Sequence, residues 1–357
     1  MFSGSQVITR QLPTFKNALN WLRPKGHFDH ATGELAVLIG LGATLALGTT
    51  VAVAWAAGFG EVFHRLLHVR PLWIPIALAG QVVAYLGYML AYREVARVER
   101  GHQFGMMRLA AVVFTGFGVF VAHGGFSADV IALRGAGISK RDARVRVLGL
   151  GALEYLLLAP AVCVCAIILL AHGSSKPAIG FTLPWAIGVP LGLVAAFIAL
   201  RHCSKFANAN EGWRGAVAHA LDGIAVLRRL SLEPFRHGSA FVGMGLYWAG
   251  EISSLSAALH AFGSPRPAIA ALVVGYATGY ALTRRTLPLA GAGVVEALLP
   301  FSLLWAGATL APALLAVFVY RLFNLWLPLV PAVVGVRALR REHRANGGAQ
   351  VPESRAA

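Results

Sequence analysis

The chain has 357 residues, of which 57% are hydrophobic and only 13% are charged, and its mean hydropathy is +0.66. This composition excludes an ordinary soluble globular domain and predicts a polytopic membrane protein. The formal net charge is +16, but the basic residues fall in short clusters between apolar runs. They therefore indicate contact with anionic lipid headgroups, and no nucleic-acid partner is expected.

Long apolar runs follow one another along the chain, each close to the ~20 residues that a spanning helix needs. They cover residues 35–58, 72–92, 106–122, 145–171, 182–200, 238–262, 267–283, 287–306 and 311–336. A shorter run, 126–136, follows a turn at His123, Gly124 and Gly125 and predicts a re-entrant or tilted half-helix. The pattern predicts an all-α fold with about eight transmembrane helices plus re-entrant or broken helices.

The expected domain organisation follows from these runs. A polar N-terminal segment, which has no cleavable signal peptide pattern, precedes one transmembrane domain of two lobes, and a short disordered tail follows it. Apolar residues at helical spacing join the lobes and predict an amphipathic cytoplasmic helix, with a plain connector as the alternative. The boundaries are 1–34 for the N-terminal segment, 35–340 for the membrane domain, 35–200 and 238–340 for its lobes, 204–236 for the helix and 341–357 for the tail.

Lysine and arginine predict the orientation in the membrane. If the N-terminus lies inside, the outer loops keep only Arg65, Arg70, Lys176 and Arg266, and all other basic residues except Arg321 lie on the cytoplasmic side. Short cytoplasmic loops are enriched in Lys and Arg. We therefore expect a multi-pass protein of the cytoplasmic (inner) membrane with both termini in the cytoplasm.

Residues 286–310 are apolar enough to enter a membrane, but their sequence does not predict one continuous helix. A carboxylate, Glu296, lies among helix-breaking residues, namely Pro288, Gly291, Gly293 and Pro300. A break inside hydrocarbon persists only where protein or a wet cavity satisfies the freed backbone groups. Transporters build binding sites from such broken helices.

A faint internal repeat supports two lobes. Gly124 and Gly125 precede Asp129 as Gly291 and Gly293 precede Glu296. In the predicted topology the two segments cross the membrane in opposite directions, as inverted repeats require.

The C-terminal stretch LPLAGAGVVEALLPFSLLWAGATLAPALLAVFVYRL resembles the signature of the lysylphosphatidylglycerol synthase transmembrane region family, a flippase-like membrane domain. The residues that carry the resemblance are Pro288, Gly291, Gly293, Glu296, Gly307, Tyr320 and Arg321, and in the first half Leu133, Gly137, Ser139 and Ala143. The resemblance implies a helical bundle with re-entrant helices that moves lipids between leaflets. It covers the membrane domain only, from about residue 35 to 340, so the synthase activity of some family members is not implied.

Glu296 and Arg321 form the best candidate pair. Glu296 lies eleven residues before Gly307, and Arg321 lies eleven residues after Leu310. At 1.5 Å per residue both lie about 16 Å from the turn between them, near the centre of a ~30 Å core. We expect them to pair, either as a structural ion pair only or with a role in headgroup passage.

Other ionisable or polar residues in apolar runs are candidates for lining the substrate path. Glu251 and Ser254 share a helix face, and Glu154 lies within its run. For these two acids the alternative is a neutral, hydrogen-bonded packing role. The remaining candidates are Asp129, which the dipole of its helix would also stabilise, Tyr320 and His123.

The sequence favours a lipid flippase that takes a phospholipid or a lipid-linked substrate, preferably with a cationic or zwitterionic headgroup. No catalytic motif, metal-ligand pattern or cofactor motif is found, and Cys163 and Cys165 are expected to be packing residues. The alternatives are an integral membrane lipid or polyprenyl transferase and a scaffold for a separate lipid-modifying enzyme. A homodimer is left open.

Overall fold

The computed structural model of the protein describes residues 31–97, 138–172, 179–201, 234–265, 267–281 and 291–328, with positions 105–106, 109–110, 113–114, 129–130, 133–134, 230, 232 and 283. Every regular element within these ranges is helical. The elements are α1 (Ala31–Ala57), α2 (Phe59–Leu67), α3 (Trp73–Arg97), α4 (Lys140–Ala171), α5 (Ile179–Arg201), α6 (Pro234–Ala261), α7 (Ile269–Tyr276), π1 (Ala277–Ala281), α8 (Val294–Trp305), α9 (Leu310–Arg321) and π2 (Leu322–Trp326).

Four of these helices are long and apolar enough to cross a membrane. The apolar segments are Ile39–Ala57, Trp73–Arg97, Asp142–Ala171 and Ile179–Ile198, which belong to α1, α3, α4 and α5. The helix α6 has 28 residues, but its serines and its glutamate lower its hydropathy. The prediction of an all-helical membrane protein is confirmed at this level.

Helices α3 and α6 pack closely through small residues. A Cβ atom added to Gly250 of α6 would lie 2.6 Å from both the Ala84 nitrogen and the Gly80 oxygen of α3. A Cβ atom on Gly87 would lie 2.5 Å from the Gly243 oxygen. Membrane helices approach closely where glycine removes the side chain, because backbone packing replaces the hydrophobic effect there. The pairing of low numbers in α3 with high numbers in α6 makes the two helices antiparallel.

Backbone and side-chain contacts bring several helix ends to one end of the bundle. The Arg70 nitrogen, just before α3, donates to the Ala261 oxygen at the end of α6 over 2.8 Å. Near the end of α1, Val53 and Ala54 pack against Leu314 in the second turn of α9. Depth within the bundle can therefore be measured along each helix from this common end.

The predicted break in residues 286–310 is present. Gly291 and Gly293 have φ values of 68° and 83°, a region that glycine enters without strain. Helix α8 begins directly after them and has 12 residues, which is about 18 Å and little more than half of a hydrocarbon core. Pro300 does not break the helix as expected: it is buried inside α8, where packing compensates for its missing N–H group.

Several predictions concern residues outside the described ranges. They include the turn at 123–125, most of the half-helix at 126–136, Pro288, the N-terminal segment as far as residue 30, most of the connecting helix at 204–236, and the C-terminal tail. The last four residues predicted for the N-terminal segment, 31–34, belong to α1. The division into two inverted lobes is not resolved by the described helices.

Candidate functional site

A buried glutamate of α6, Glu251, lies at the centre of a polar cluster between helices. Its Oε1 atom accepts hydrogen bonds from Gln81 Nε2 of α3 over 3.0 Å and from Asn324 Nδ2 of π2 over 2.8 Å. Its Oε2 atom accepts from Asn324 Nδ2 over 3.0 Å, from the Tyr276 hydroxyl over 3.1 Å, and from the Tyr320 hydroxyl. Glu251 is fully buried, so these neutral donors replace water around its carboxylate.

The hydroxyl groups of Tyr276 and Tyr320 also lie 3.1 Å from each other, and either one can be the donor. Both tyrosines are fully buried, as is Gln81. Together with Glu251 Oε2, the two hydroxyl oxygens form a triangle in which each pair of atoms lies within hydrogen-bond distance. This triangle joins α6, α7 and α9.

Two π-helical segments complete the cluster. The Tyr280 hydroxyl of π1 donates to Asn324 Oδ1 of π2 over 2.5 Å, and this bond turns the amide nitrogen of Asn324 toward Glu251. A π turn contains one more residue than an α turn, and such bulges are frequent at functional sites. Here the extra residues bring side chains of two different helices together.

Tyrosines of neighbouring helices bond to the backbone of both π segments. The Tyr85 hydroxyl of α3 lies 2.9 Å from the carbonyl oxygens of Phe323 and Asn324. The Tyr155 hydroxyl of α4 donates to the carbonyl oxygen of Ala281 over 3.2 Å. Carbonyl groups with weakened helical bonds need such partners when water is absent, so the π segments depend on tertiary contacts.

The predicted pairing of Glu296 with Arg321 is confirmed. Arg321 Nε donates to Glu296 Oε1 over 2.7 Å, and both residues are buried, with 2% of Arg321 and 4% of Glu296 exposed. The other carboxylate oxygen, Oε2, accepts from the Gly293 nitrogen over 2.7 Å. Glu296 therefore both neutralises Arg321 and binds the backbone at the start of α8.

The ion pair and the Glu251 cluster are neighbours. The Arg321 guanidinium carbon lies 5.9 Å from the centre of the Tyr280 ring, within the range of a cation–π contact. Glu251 is ten residues before Ala261, and Tyr320 is ten residues after Leu310, so each lies about 15 Å from its helix end. In a ~30 Å hydrocarbon core that begins at these helix ends, the site would lie near the middle.

Comparison of the chain with known proteins gives a negative result. No family model and no curated protein matches this chain. The resemblance to the flippase-like domain therefore rests on the sequence motifs alone, and the geometry of the site has to carry the functional argument.

The remaining sequence candidates lie at different places. Ser254 is fully buried, but it lies against the backbone of α3 at Gly80 and its Oγ has no hydrogen-bond partner among the described residues. Ser254 and Glu251 therefore do not form a hydrogen-bonded polar strip. Glu154 and Asp129 are buried, and the backbone oxygen of Glu154 accepts from Trp248 Nε1 of α6 over 3.0 Å. His123, Gly124 and Gly125 lie outside the described ranges.

Sequence reasoning missed four members of the cluster: Gln81, Tyr276, Tyr280 and Asn324. A signal was present, because Gln81 and Asn324 are uncharged polar residues within apolar runs. Tyr276 and Tyr280 are four residues apart, as are Tyr320 and Asn324, and such spacing indicates a shared helix face. Within the described ranges, no group of three or more His, Cys, Asp or Glu side chains is placed to hold a metal ion.

Proposed function

We propose that this chain moves the headgroup of a phospholipid or lipid-linked substrate between the leaflets of the cytoplasmic membrane. The observation that carries this proposal is the polar site around Glu251, Glu296 and Arg321 at mid-depth of an otherwise apolar bundle. A charged side chain at the centre of a membrane helix costs roughly 2.5 to 3.5 kcal/mol or more. Such residues are usually retained because they handle a polar substrate or ion.

The shape of the bundle supports a transport role. Helix α8 is a half-length helix whose first turn lies at mid-depth, and it carries Glu296. Broken helices of this kind commonly form substrate sites in secondary transporters. For the whole chain we propose about eight spanning helices in two inverted lobes, with both termini in the cytoplasm. The antiparallel α3 and α6 agree with the alternation that this topology demands.

Translocation requires the site to open, because its members are buried. The two π segments are suited to this movement, since each can return to α-helical geometry by a shift of one residue. Such a shift in π2 would withdraw Asn324 from Glu251 and Tyr280. We propose that this rearrangement exposes the carboxylates to a headgroup.

The charges favour particular headgroups. Buried acids among the described residues near the site are Glu154, Glu251 and Glu296, whereas the buried cation there is Arg321. Because Arg321 is paired with Glu296, a cationic or zwitterionic headgroup fits better than a purely anionic one. The amine of such a headgroup would bind at a carboxylate of the site, and its phosphate would bind near Arg321.

The decisive experiment uses proteoliposomes that contain only this protein. Headgroup-labelled zwitterionic, cationic and anionic lipids are placed in one leaflet, and a membrane-impermeant reductant reports the rate at which each crosses. We expect faster crossing than in protein-free vesicles, with the anionic lipid slowest. Glu251→Gln should slow crossing, whereas Ile187→Val, at an exposed position of α5, should not.

Two results would overturn the proposal. Crossing at the protein-free rate for every headgroup would exclude translocation by the chain alone. A new lipid species detected by mass spectrometry, formed from an added donor, would indicate the transferase instead.

A further inference from the structure

The carboxylate of Glu251 has no cationic partner in the part of the chain that the structure describes. Among the residues that the structure describes, none of the ion pairs includes Glu251. Its hydrogen-bond partners are Gln81, Tyr276, Tyr320 and Asn324, all of them uncharged. Hydrogen bonds from neutral donors reduce the cost of burying a carboxylate, but they do not cancel its charge.

Arg321, the nearby cation, does not neutralise the charge of Glu251. Arg321 Nε is bonded to Glu296 at 2.7 Å, so those two residues neutralise each other. When every group is ionised, the three residues Glu251, Glu296 and Arg321 together carry a net charge of −1. A net charge at mid-depth of a membrane favours the uptake of one monovalent cation.

A proton fits this site without rearrangement of heavy atoms. The triangle of Glu251 Oε2, Tyr276 hydroxyl and Tyr320 hydroxyl has three contacts of hydrogen-bond length. With Glu251 ionised, the two hydroxyl hydrogens both point to Oε2, and the contact between the tyrosines is left without a hydrogen. With Glu251 protonated on Oε2, three hydrogens fill all three contacts. The same geometry therefore accommodates both protonation states.

A metal cation fits less well. The amide nitrogens of Gln81 and Asn324 lie 3.0 and 2.8 Å from Glu251 Oε1, and they donate hydrogen where a metal ion would need oxygen ligands. The bond from Tyr280 to Asn324 Oδ1 holds that orientation. A cation larger than a proton would have to displace these donors.

We infer that Glu251 is an exchangeable proton site, and, on the basis of the proposed lipid translocation, that it couples this translocation to a proton gradient. In one step the carboxylate takes a proton from water on one side of the membrane and becomes a neutral carboxylic acid. In the other step the acid returns the proton to water on the opposite side. Each step changes the charge of the buried site by one, and a full cycle restores that charge and moves one proton across the membrane.

Other titratable groups on the helices around Glu251 have to be separated from it. The hydroxyls of Tyr276 on α7 and Tyr320 on α9 bond to Glu251 itself, and those of Tyr85 on α3 and Tyr280 on π1 bond to its partner Asn324. The ion pair of Glu296 and Arg321 lies on α8 and α9, and Glu154 lies on α4. Tyrosine ordinarily titrates near pH 10, far from glutamate. Glu154 is therefore the residue that a test has to distinguish from Glu251.

Infrared spectroscopy of the full chain in lipid vesicles tests the proton site directly. The carbonyl stretch of a protonated carboxylic acid is followed from about pH 4 to about pH 10, which spans the ordinary range of glutamate and tyrosine. We expect a band that disappears reversibly as the pH rises, is absent in Glu251→Gln, and persists in Glu154→Gln and in Glu61→Gln, an exposed control.

Each other spectroscopic outcome overturns the inference. A Glu251 band present throughout the range would make the residue a permanently neutral packing acid. A band absent throughout would make it a permanently ionised one. Loss of the titrating band in Glu154→Gln would assign the proton to α4.

The coupling is tested separately, by lipid crossing in proteoliposomes with and without an imposed pH gradient. We expect the gradient to change the crossing rate of the wild-type protein several-fold, and Glu251→Gln to abolish that response. A response that persists in Glu251→Gln would overturn the coupling role. If no lipid crosses under any condition, the proposed function fails and the coupling role with it, whereas the infrared result still decides whether Glu251 exchanges a proton.

Discussion

The ion pair between Glu296 and Arg321 allows a quantitative test of the site. We consider Glu296→Gln, Arg321→Gln and the double variant. Each single change keeps the approximate size of the side chain and removes one charge. Because both residues are buried and their bond is 2.7 Å long, each single variant leaves the other residue buried without its partner.

The expected magnitudes differ between the two single variants. Breaking a buried ion pair typically costs about 3 to 5 kcal/mol. The cost of Arg321→Gln should lie near the lower limit of this range, because Glu296 keeps its bond from the Gly293 nitrogen and a carboxylate can become neutral by taking a proton. Glu296→Gln should lie near the upper limit, since a guanidinium cannot be deprotonated in a protein. The double variant should lose less free energy of unfolding than either single variant, because it leaves no buried charge without its partner.

The assay is equilibrium unfolding in a mixed detergent solution, followed by circular dichroism. The matched control is the same cycle on Glu61 and Arg65 of α2, an exposed pair whose atoms also lie 2.7 Å apart. Solvent screens that pair, so no resolvable coupling is expected. Lipid crossing is measured on the same samples, and we expect the double variant to recover stability without recovering translocation.

Two results would refute this reasoning at different points. Additive losses for the Glu296 and Arg321 variants would show that the two side chains do not meet. Recovery of both stability and lipid crossing in the double variant would show that the pair is structural and does not handle the headgroup.

Three further predictions concern other parts of the molecule. Gly250→Ala should destabilise the protein by about 1 to 3 kcal/mol in the same unfolding assay, since the new Cβ would meet the backbone of α3 at 2.6 Å. The control Gly192→Ala on α5, where a new Cβ would have nothing within 4 Å, should not destabilise it. Equal effects of the two changes would contradict the close packing of α3 and α6. The hydrogen bond from Arg65 lowers the pKa of Glu61. The stabilisation that this bond gives is therefore present above the ordinary pKa of glutamate and is lost as the pH falls through the lowered value. Arg65→Gln should raise the pKa of Glu61 toward the ordinary value in a carbon-13 NMR titration, and an unchanged pKa would exclude the bond in solution. Tags between α4 and α5 and between α6 and α7 should react with an impermeant reagent in intact cells, whereas a tag in the C-terminal tail should not; a reactive tail would contradict the proposed topology.

The broken helix could be predicted because its causes are local. Gly291 and Gly293 adopt positive φ, and glycine is the residue that does so without strain. Pro300 misled the same reasoning, since proline removes one hydrogen bond but a buried helix can continue past it when neighbouring helices pack around the gap. Local sequence thus indicated where a break was possible, and packing decided which of the possible breaks formed.

The ion pair could also be predicted, because its two residues are linked by a short hairpin. Counting residues from the turn placed Glu296 and Arg321 at equal depth, and the cost of isolated charges in hydrocarbon then required them to meet. Twenty-five residues separate them, so no knowledge of distant helices was needed.

The chain by itself determined the membrane class, the break before α8 and the pairing of Glu296 with Arg321, because hydropathy, glycine and helical rise act along the sequence. Only the tertiary structure decided what surrounds Glu251. Its partners Gln81 and Asn324 are 170 and 73 residues away, and they reach it because α3 and α6 cross at small residues and because π2 rotates Asn324 inward. The rotation of one helix against another depends on packing across the whole bundle, and no local pattern in the sequence encodes it.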